Sequence, residues 1–251
     1  MKQIFHKKYV DKSPKIDEII SSFDTEGDLI YAGDRNQIKT FSLDDLTITI
    51  KSFKSPNIIN KIVYRFFRKS KAERSFEHAK ILLANDLGTP HPIAYYEFPT
   101  ALFFKRSYYV SEHVPYDLTF RELTHDLDMP EHEMILRAFT RFTHQLHKNN
   151  INFLDHSPGN TLIKKQNDGY QFYLVDLNRM VFHSMDFETR VKNLSRLTVH
   201  KSMIETMSDE YSKCTGEDVD KIFDLMWRST LKFQYKFHRK RRIKNALQFW
   251  K

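Results

Sequence analysis

Cysteine is nearly absent from this chain of 251 residues, which contains Cys214 and no second thiol. A single cysteine can form neither an internal disulfide nor a cysteine zinc site, so the composition favours a protein of a reducing compartment. Glycine and proline are also few, at 6 and 8 residues. With 40% hydrophobic and 14% aromatic residues, the chain is neither collagen-like nor of low complexity, and it is long enough to bury a core.

Long apolar runs are missing as well. The segment 1–18 contains basic residues but no apolar stretch of the roughly 7 to 15 residues that a signal peptide requires. Nowhere does the sequence contain the stretch of about 18 apolar residues that spans a bilayer. We therefore expect a cytoplasmic protein.

Negative charge is in deficit, since 40 Lys and Arg residues outnumber 32 Asp and Glu residues and give a formal net charge of +8. This balance favours anionic ligands or surroundings: nucleic acid, phosphates or an acidic membrane face. Segments 60–74 and 234–251 combine their basic residues with aromatic ones. That mixture fits a peripheral contact with the inner face of the cytoplasmic membrane, and it equally fits a solvated helix face. Because no RNA-binding motif is present, we expect no nucleic-acid partner.

The first half of the chain is predicted to consist mainly of strands. Alternating and β-branched runs predict a strand meander over 28–54 and two further strands over 93–98 and 101–114. Between them, apolar residues at helical spacing predict a helix over 71–86 that ends before Gly88.

The second half is predicted to be mainly helical, over 130–149 and again from about 186 to 251. A hairpin over 161–175 interrupts it, with a strong turn signal at its centre. We therefore predict an α+β fold of two lobes. A β-rich N-terminal lobe with one helix covers 1–112, and a mainly α C-terminal lobe covers 113–251.

Three oxygen-bearing side chains flank the predicted hairpin. Asp155 and Asn160 precede its first strand, and Asp176 follows its second. Phosphoryl transfer requires a carboxylate that positions the attacking hydroxyl beside hard oxygen ligands for Mg²⁺, and the kinase catalytic pattern separates these residues by five positions. Asp155 is the predicted catalytic base, and Asn160 and Asp176 are the predicted metal ligands.

A strand lysine is the predicted phosphate ligand. Lys51 occupies the position of the lysine in the kinase strand motif, with Lys54 as a nearby competitor. A carboxylate on the following helix is expected to pair with this lysine. Glu73 and Glu77 lie on one helix face, and we favour Glu77.

The remaining nucleotide contacts are predicted from chain order. Glu112 and Val114 lie where the two lobes should join, and exposed backbone there would hydrogen-bond an adenine edge. No glycine-rich G-x-G-x-x-G loop is present, and the corresponding turn contains only Gly33 beside Arg35. The phosphate cover should therefore use a different backbone path or the Arg35 side chain.

These segments resemble the lipopolysaccharide core kinases, the Kdo and heptose kinases, which are a branch of the protein-kinase-like superfamily. The resemblance covers about 30–200 and includes GDRNQIKTF, LDHSPGNTLI and YLVDLNRM. It implies a two-lobed kinase fold, the use of ATP and Mg²⁺, and a sugar hydroxyl of the inner core as acceptor. It carries the catalytic base onto Asp155, the metal ligands onto Asn160 and Asp176, and the phosphate lysine onto Lys51.

The chain also departs from ordinary protein kinases in two motifs: Phe153 replaces the histidine of H-R-D, and Leu177-Asn178 replaces Phe-Gly after the metal-binding Asp. No A-P-E element follows, which argues for a constitutively assembled site. The resemblance predicts a kinase for Kdo or heptose in the lipid A core. A kinase for a protein or small-molecule acceptor and a non-catalytic nucleotide-binding module at the membrane are the alternatives.

Overall fold

The computed structural model of this chain describes four stretches of residues: 1–34, 36–54, 69–99 and 104–248. The backbone divides into two compact units, each made of two stretches: Met1–Pro115 with Asp176–Asn178, and Tyr116–Val175 with Arg179–Lys251. The lobe boundary predicted after residue 112 lies three residues before the first of these divisions.

The first unit contains an antiparallel sheet of six strands in the order β1-β5-β6-β4-β3-β2. Its strands and helices are β1 (Lys2–Phe5), α1 (Ser13–Ser22), β2 (Asp28–Ala32), β3 (Asn36–Leu43), β4 (Leu46–Lys54), α2 (Lys71–Ala84), β5 (Pro92–Pro99) and β6 (Phe104–Glu112).

The core of the first unit lies between this sheet and helix α1. Alternation in β4 buries Ile48 and Ile50, and the apolar face of α1 contributes Ile16 and Ile20. These side chains are removed from water, which is the main stabilising contribution to such a layer. The predicted strand meander is confirmed, whereas α1 and the edge strand β1 were not anticipated from the sequence.

Helix α2 begins where the sequence places it. The Ser70 hydroxyl accepts a hydrogen bond from the Glu73 N–H at 3.0 Å, which caps the first turn. The helix covers 71–84 against the predicted 71–86, a difference of the size usual at helix ends. Its buried face includes Phe76 and Ala79.

The second unit combines short strands with helices, and it also contains a 3₁₀ turn over Pro158–Asn160. Its elements are β7 (Leu118–Thr119), α3 (Phe120–His125), α4 (His132–Lys148), β8 (Ile151–Phe153), β9 (Thr161–Gln166), β10 (Gly169–Leu174), β11 (Met180–Phe182), α5 (Phe187–Asn193), α6 (Lys201–Thr215) and α7 (Val219–Gln248).

The predicted hairpin is present as β9 and β10, with Gly169 opposite Gln166. Gly169 has φ of 133°, a conformation that side-chain-bearing residues rarely adopt, so glycine is required at this corner. Phe172 of β10 packs against Phe139 of α4 in the core of this unit. The hairpin is thereby fixed on the helical body, and its ends carry the predicted site residues.

No helix within the described stretches is both long enough and apolar enough to cross a bilayer.

Candidate active site

Lys51 forms an ion pair with Asp176 inside the first unit. Because β4 alternates, Ile50 faces the core while its neighbour Lys51 points to the opposite face. The Lys51 Nζ lies 2.7 Å from Asp176 Oδ1, and the two side chains are only 12% and 25% exposed. Solvent screens this pair less than it screens a surface salt bridge. The sheet therefore holds the predicted phosphate lysine against a predicted metal ligand.

Asp176 has a left-handed backbone conformation, with φ of 59°. This conformation costs a non-glycine residue of the order of 1 kcal/mol and is concentrated at functional sites. Asn178 Nδ2 donates to Asp176 Oδ1 at 2.5 Å. Both this bond and the Lys51 contact use Oδ1, and in the described part of the chain no group pairs with Oδ2. The second oxygen is thus available to a cation.

Helix α2 fastens the segment that follows Asp176. An Arg74 guanidinium nitrogen donates to the Asn178 carbonyl at 2.7 Å. His78 Nδ1 lies 2.7 Å from the Leu177 carbonyl, and since a carbonyl only accepts, the proton is on Nδ1. Burial lowers the pKa of His78, which favours the neutral ring. Neither Arg74 nor His78 was predicted from the sequence.

The predicted partner of Lys51 was wrong. Glu77 lies 3.4 Å from Lys80 of its own helix, and Glu73 lies 3.7 Å from Lys2 and 3.9 Å from Lys69. Among the described residues, Asp176 is the carboxylate that pairs with Lys51. Nearby lysines therefore pair with both glutamates. The helical spacing of Glu73 and Glu77 shows only that they share a helix face and cannot show which cation each one meets.

Glu112 ends β6 and is held by the N-terminal segment. The Tyr9 hydroxyl donates to its carboxylate, and Lys8 Nζ lies 3.3 Å from the same oxygen. Burial opposes ionisation, but these two hydrogen bonds keep the pKa of Glu112 below its usual value. Burial together with the bond to Glu112 raises the pKa of Tyr9 to about 12. The Glu112 side chain is therefore occupied by contacts within the first unit, and the part of Glu112 that can bind a ligand is its backbone.

The backbone N–H groups at and after Glu112 differ in whether they are hydrogen-bonded. The N–H groups of Glu112 and His113 donate to the carbonyls of His91 and Thr47 at 2.9 and 2.8 Å. In the described ranges, no such bond is made by the N–H of Val114. An unpaired donor at this position is what the predicted adenine contact requires.

The predicted glycine turn is described only in part. The Gly33 N–H donates to the Asn36 carbonyl at 2.9 Å, and a Cβ at Gly33 would lie 2.5 Å from the Tyr31 hydroxyl. The close approach of the tyrosine side chain explains glycine here. Arg35 lies outside the described residues.

Asp155 and Asn160 lie in one loop of the second unit. The loop leaves β8, and Asn160 Nδ2 donates to the Asp155 carbonyl at 2.8 Å. This bond leaves the Asn160 amide oxygen as an acceptor or ligand. The Asp155 carboxylate is 31% exposed and lies 3.7 Å from an Arg179 guanidinium nitrogen. It is accessible, as a group that receives a proton from a substrate must be.

A second cation lies beside the same loop. A Cβ at Gly159 would lie 2.6 Å from a terminal nitrogen of Arg121, which belongs to α3. In the described part of the chain no carboxylate pairs with the Arg121 guanidinium. Arg121 and Arg179 therefore give the surroundings of Asp155 a positive potential.

The available ligand atoms fit Mg²⁺ in kind. Asn160 of the second unit presents an amide oxygen, and Asp176 of the first unit presents a carboxylate oxygen; each by itself is the kind of hard ligand that this ion prefers. Among the described residues there is no cluster of three or more His, Cys, Asp or Glu side chains suited to a metal ion. Mg²⁺ commonly uses one or two protein ligands with phosphates and water, so a small ligand set is compatible with it.

Comparison with solved structures identifies the fold. A structure described as WaaP in complex with acyl carrier protein matches with a TM-score of 0.65 at 13% sequence identity, covering 92% of this chain and 99% of that one. The antiparallel sheet of the first unit and the helices of the second are those of the protein-kinase-like fold, so the predicted α+β class is confirmed.

The sequence also matches the family model "Lipopolysaccharide kinase (Kdo/WaaP) family" over residues 54–223, which is more than half of the chain. The protein belongs to this family and is a kinase, a phosphotransferase of lipopolysaccharide biosynthesis. A search of curated proteins found no match.

Proposed function

We propose that this kinase transfers the γ-phosphate of ATP to a hydroxyl of Kdo or heptose in the lipopolysaccharide inner core. The observation that carries the proposal is the ion pair of Lys51 with Asp176, which uses the Oδ1 oxygen of a residue with a left-handed backbone. A lysine that can shift to phosphates and a carboxylate that can shift to a metal ion are the parts that phosphoryl transfer requires.

Asp155 acts on the acceptor sugar. Its carboxylate orients the attacking hydroxyl and takes its proton as the bond from that oxygen to the γ-phosphorus forms and ADP departs. Arg121 and Arg179 attract an acceptor that is itself anionic, as a carboxylated or phosphorylated core sugar is.

The nucleotide is bound by the other predicted residues. Lys51 holds the α- and β-phosphates, and Asn160 and Asp176 would hold Mg²⁺, which neutralises the phosphate oxygens when it is bound. The Val114 N–H and the Glu112 carbonyl bind the adenine edge. The proposed remaining contacts are the Gly33 turn and Arg35.

Transfer of radiolabelled phosphate from ATP to purified lipid A carrying its inner-core sugars tests this function. The wild-type chain should label the sugar, while Asp155→Asn and Asp176→Asn should each lower the rate by at least about a hundredfold. Asparagine adopts the left-handed conformation readily, so Asp176→Asn removes the charge with little change of backbone. Asp168→Asn, in the exposed hairpin turn, is the matched control and should keep the wild-type rate.

The labelling pattern identifies the acceptor, and the variants test the catalytic residues. Label that appears only on protein or on a small molecule would keep the kinase and reject the sugar acceptor. Full activity of Asp155→Asn would remove that residue from the proposed role.

We also propose a peripheral contact with the anionic inner face of the cytoplasmic membrane through the end of α7. From residue 225 to 251 the sequence contains no Asp or Glu, and the basic side chains described in 232–242 are predominantly exposed. Tyr235 and Phe237 are exposed among them. Segment 69–74 is the weaker candidate because Lys69 and Arg74 contact Glu73 and Asn178; residues 60–68 lie outside the described ranges.

Flotation with lipid vesicles tests this contact. Since each basic residue near an anionic surface contributes about 1 kcal/mol, the triple change Arg239→Ser, Lys240→Ser and Arg241→Ser should weaken binding by about a hundredfold. The control removes three ion-paired lysines from α5 and α6, namely Lys192, Lys201 and Lys213.

If the two triple variants lost vesicle binding to the same extent, the binding would depend only on net charge and not on the end of α7. Binding to an acyl carrier protein in place of vesicles would point to the partner found in the similar WaaP structure.

A further inference from the structure

A buried polar cluster lies beneath the loop that carries Asp155. Its centre is Asn193, the last residue of α5, whose side chain meets four groups of the second unit. Asn193 Nδ2 donates to the Phe153 carbonyl at 2.8 Å and to Asn152 Oδ1 at 2.9 Å. His156 Nδ1 and His147 Nε2 lie 3.1 and 3.2 Å from Asn193 Oδ1.

The hydrogen-bond pattern fixes the orientation of every group. The Phe153 carbonyl can only accept, so the NH₂ end of Asn193 must face it. The amide oxygen can only accept, so His156 donates from Nδ1 and His147 from Nε2. The opposite nitrogen of His147 then accepts from the Tyr211 hydroxyl at 2.8 Å. Because burial lowers the pKa of both histidines, each ring is a neutral donor in one defined tautomer.

We propose that Asn193 is a positioning residue that fixes the geometry of Asp155 by binding the chain on both sides of it. Its contacts are with Phe153, two residues before Asp155, and with His156, the residue after it. We call Asn193 with Asn152, Phe153 and His156 the loop clamp. The inference deepens the proposed function and rests on it for the role of Asp155.

Burying His156 costs free energy, which indicates that this histidine does more than fill space in the core. His156 is 1% exposed, and in the described residues its Nε2 has no hydrogen-bond partner. A buried polar atom without a partner costs about 1 to 3 kcal/mol, and an apolar side chain among Phe139 and Phe153 would avoid that cost. What an apolar residue could not do is donate from Nδ1 to Asn193.

The exposed part of the loop, at Leu154 and Asp155, depends on the hydrogen bonds between Asn193 and the residues on either side of it. Leu154 and Asp155 are partly or largely exposed, so little packing restrains them. The backbone bonds from Leu154 to the Arg179 carbonyl and from His156 to the Phe153 carbonyl, at 3.0 and 3.1 Å, are the ones that the clamp would keep closed.

Asn193→Leu, which keeps the size and removes all four hydrogen bonds, tests the proposal, with Tyr211→Phe as the matched control. Tyr211→Phe removes one buried hydrogen bond at the far end of the cluster and leaves the loop clamp intact. Asn193→Leu should accelerate hydrogen exchange at the Leu154 and His156 amides at least about tenfold and lower kcat about a hundredfold, with little change in KM for ATP. Tyr211→Phe should lower the melting temperature but leave exchange and kcat nearly unchanged.

Hydrogen exchange and kcat together distinguish a failure of the loop clamp from a failure of the proposed function. Unchanged exchange at both amides in Asn193→Leu, or an equal loss of kcat in both variants, would overturn the clamp. A wild-type chain that transfers no phosphate would instead overturn the proposed function, and the exchange result would still decide the clamp. If Asn193→Leu does not fold, Asn193→Asp keeps the acceptor and removes the two donors, and it should also accelerate exchange.

Discussion

Lys51 shows how one residue can be placed for chemistry by two separate parts of the chain. Its strand neighbours fix its backbone through the ladders with β3 and β6, and Asp176 fixes its ammonium group. A partly buried ion pair contributes little net stability, because its attraction is offset by the desolvation of both charges. Its value is that two charged groups are held ready for a charged ligand.

Replacement of Lys51 should abolish turnover without unfolding the protein. Lys51→Gln removes the charge that positions the phosphates, so we expect kcat to fall by about a hundredfold or more. Lys54→Gln is the matched control, since it removes the same charge three residues along the strand from an exposed position. The measurement is steady-state kinetics with melting curves of both variants. Comparable losses in the two variants would contradict the assignment of the phosphate lysine.

At the scale of an element, α2 connects its own packing to the segment 176–178. Its buried face fixes the helix on the sheet, while Arg74 and His78 on another face hold two successive carbonyls. In the described residues, the helix thus reaches the predicted metal ligand through backbone contacts and not through a glutamate–lysine pair. A shift of α2 would move the backbone that follows Asp176.

Loss of the Arg74 contact should reduce both the activity and the stability of the protein. Arg74→Gln removes a charged donor to the Asn178 carbonyl, a type of bond worth about 1.5 to 3 kcal/mol. We expect kcat to fall about tenfold, with a smaller effect on ATP affinity. Lys80→Gln removes a charge from the same helix, where its ion pair with Glu77 is exposed, and should change neither. A wild-type kcat for Arg74→Gln would show that the contact does not position Asp176.

At the scale of the whole molecule, two buried histidines make stability depend on pH. Burial lowers the pKa of His147 to about 3 and that of His156 to about 4, from an ordinary value of 6.5, and Arg190 and His144 add to the effect on His147. Between these limits the unfolded chain binds protons at both rings and the folded chain does not. The free energy of unfolding must therefore decrease as the pH falls below about 6.5.

The expected size of this loss is about 2 kcal/mol per histidine at pH 5. Denaturant titrations at pH 7.5 and pH 5 should show it directly. His156→Gln should make the difference between the two pH values smaller, whatever it does to absolute stability. An equally steep pH dependence in that variant would show that His156 is not the group responsible.

The sequence by itself determined the features that depend on neighbouring residues. The two-residue turn at Asn167 and Asp168, just before Gly169, sets the hairpin, and alternation in β4 sets which face carries Lys51, because both follow from local backbone geometry. The family motifs marked Asp155, Asn160 and Asp176, whose individual roles stay predictions.

Only the tertiary structure decided which groups meet across long stretches of chain. It paired Lys51 with Asp176, brought Arg74 to the Asn178 carbonyl, and placed Tyr9 on Glu112. It also brought Asn193 beneath the Asp155 loop. These contacts join residues about 40 to 125 positions apart and involve single polar side chains that leave no periodic signal. Such pairs form only because the buried faces of distant strands and helices pack together and fix the polar atoms at their edges.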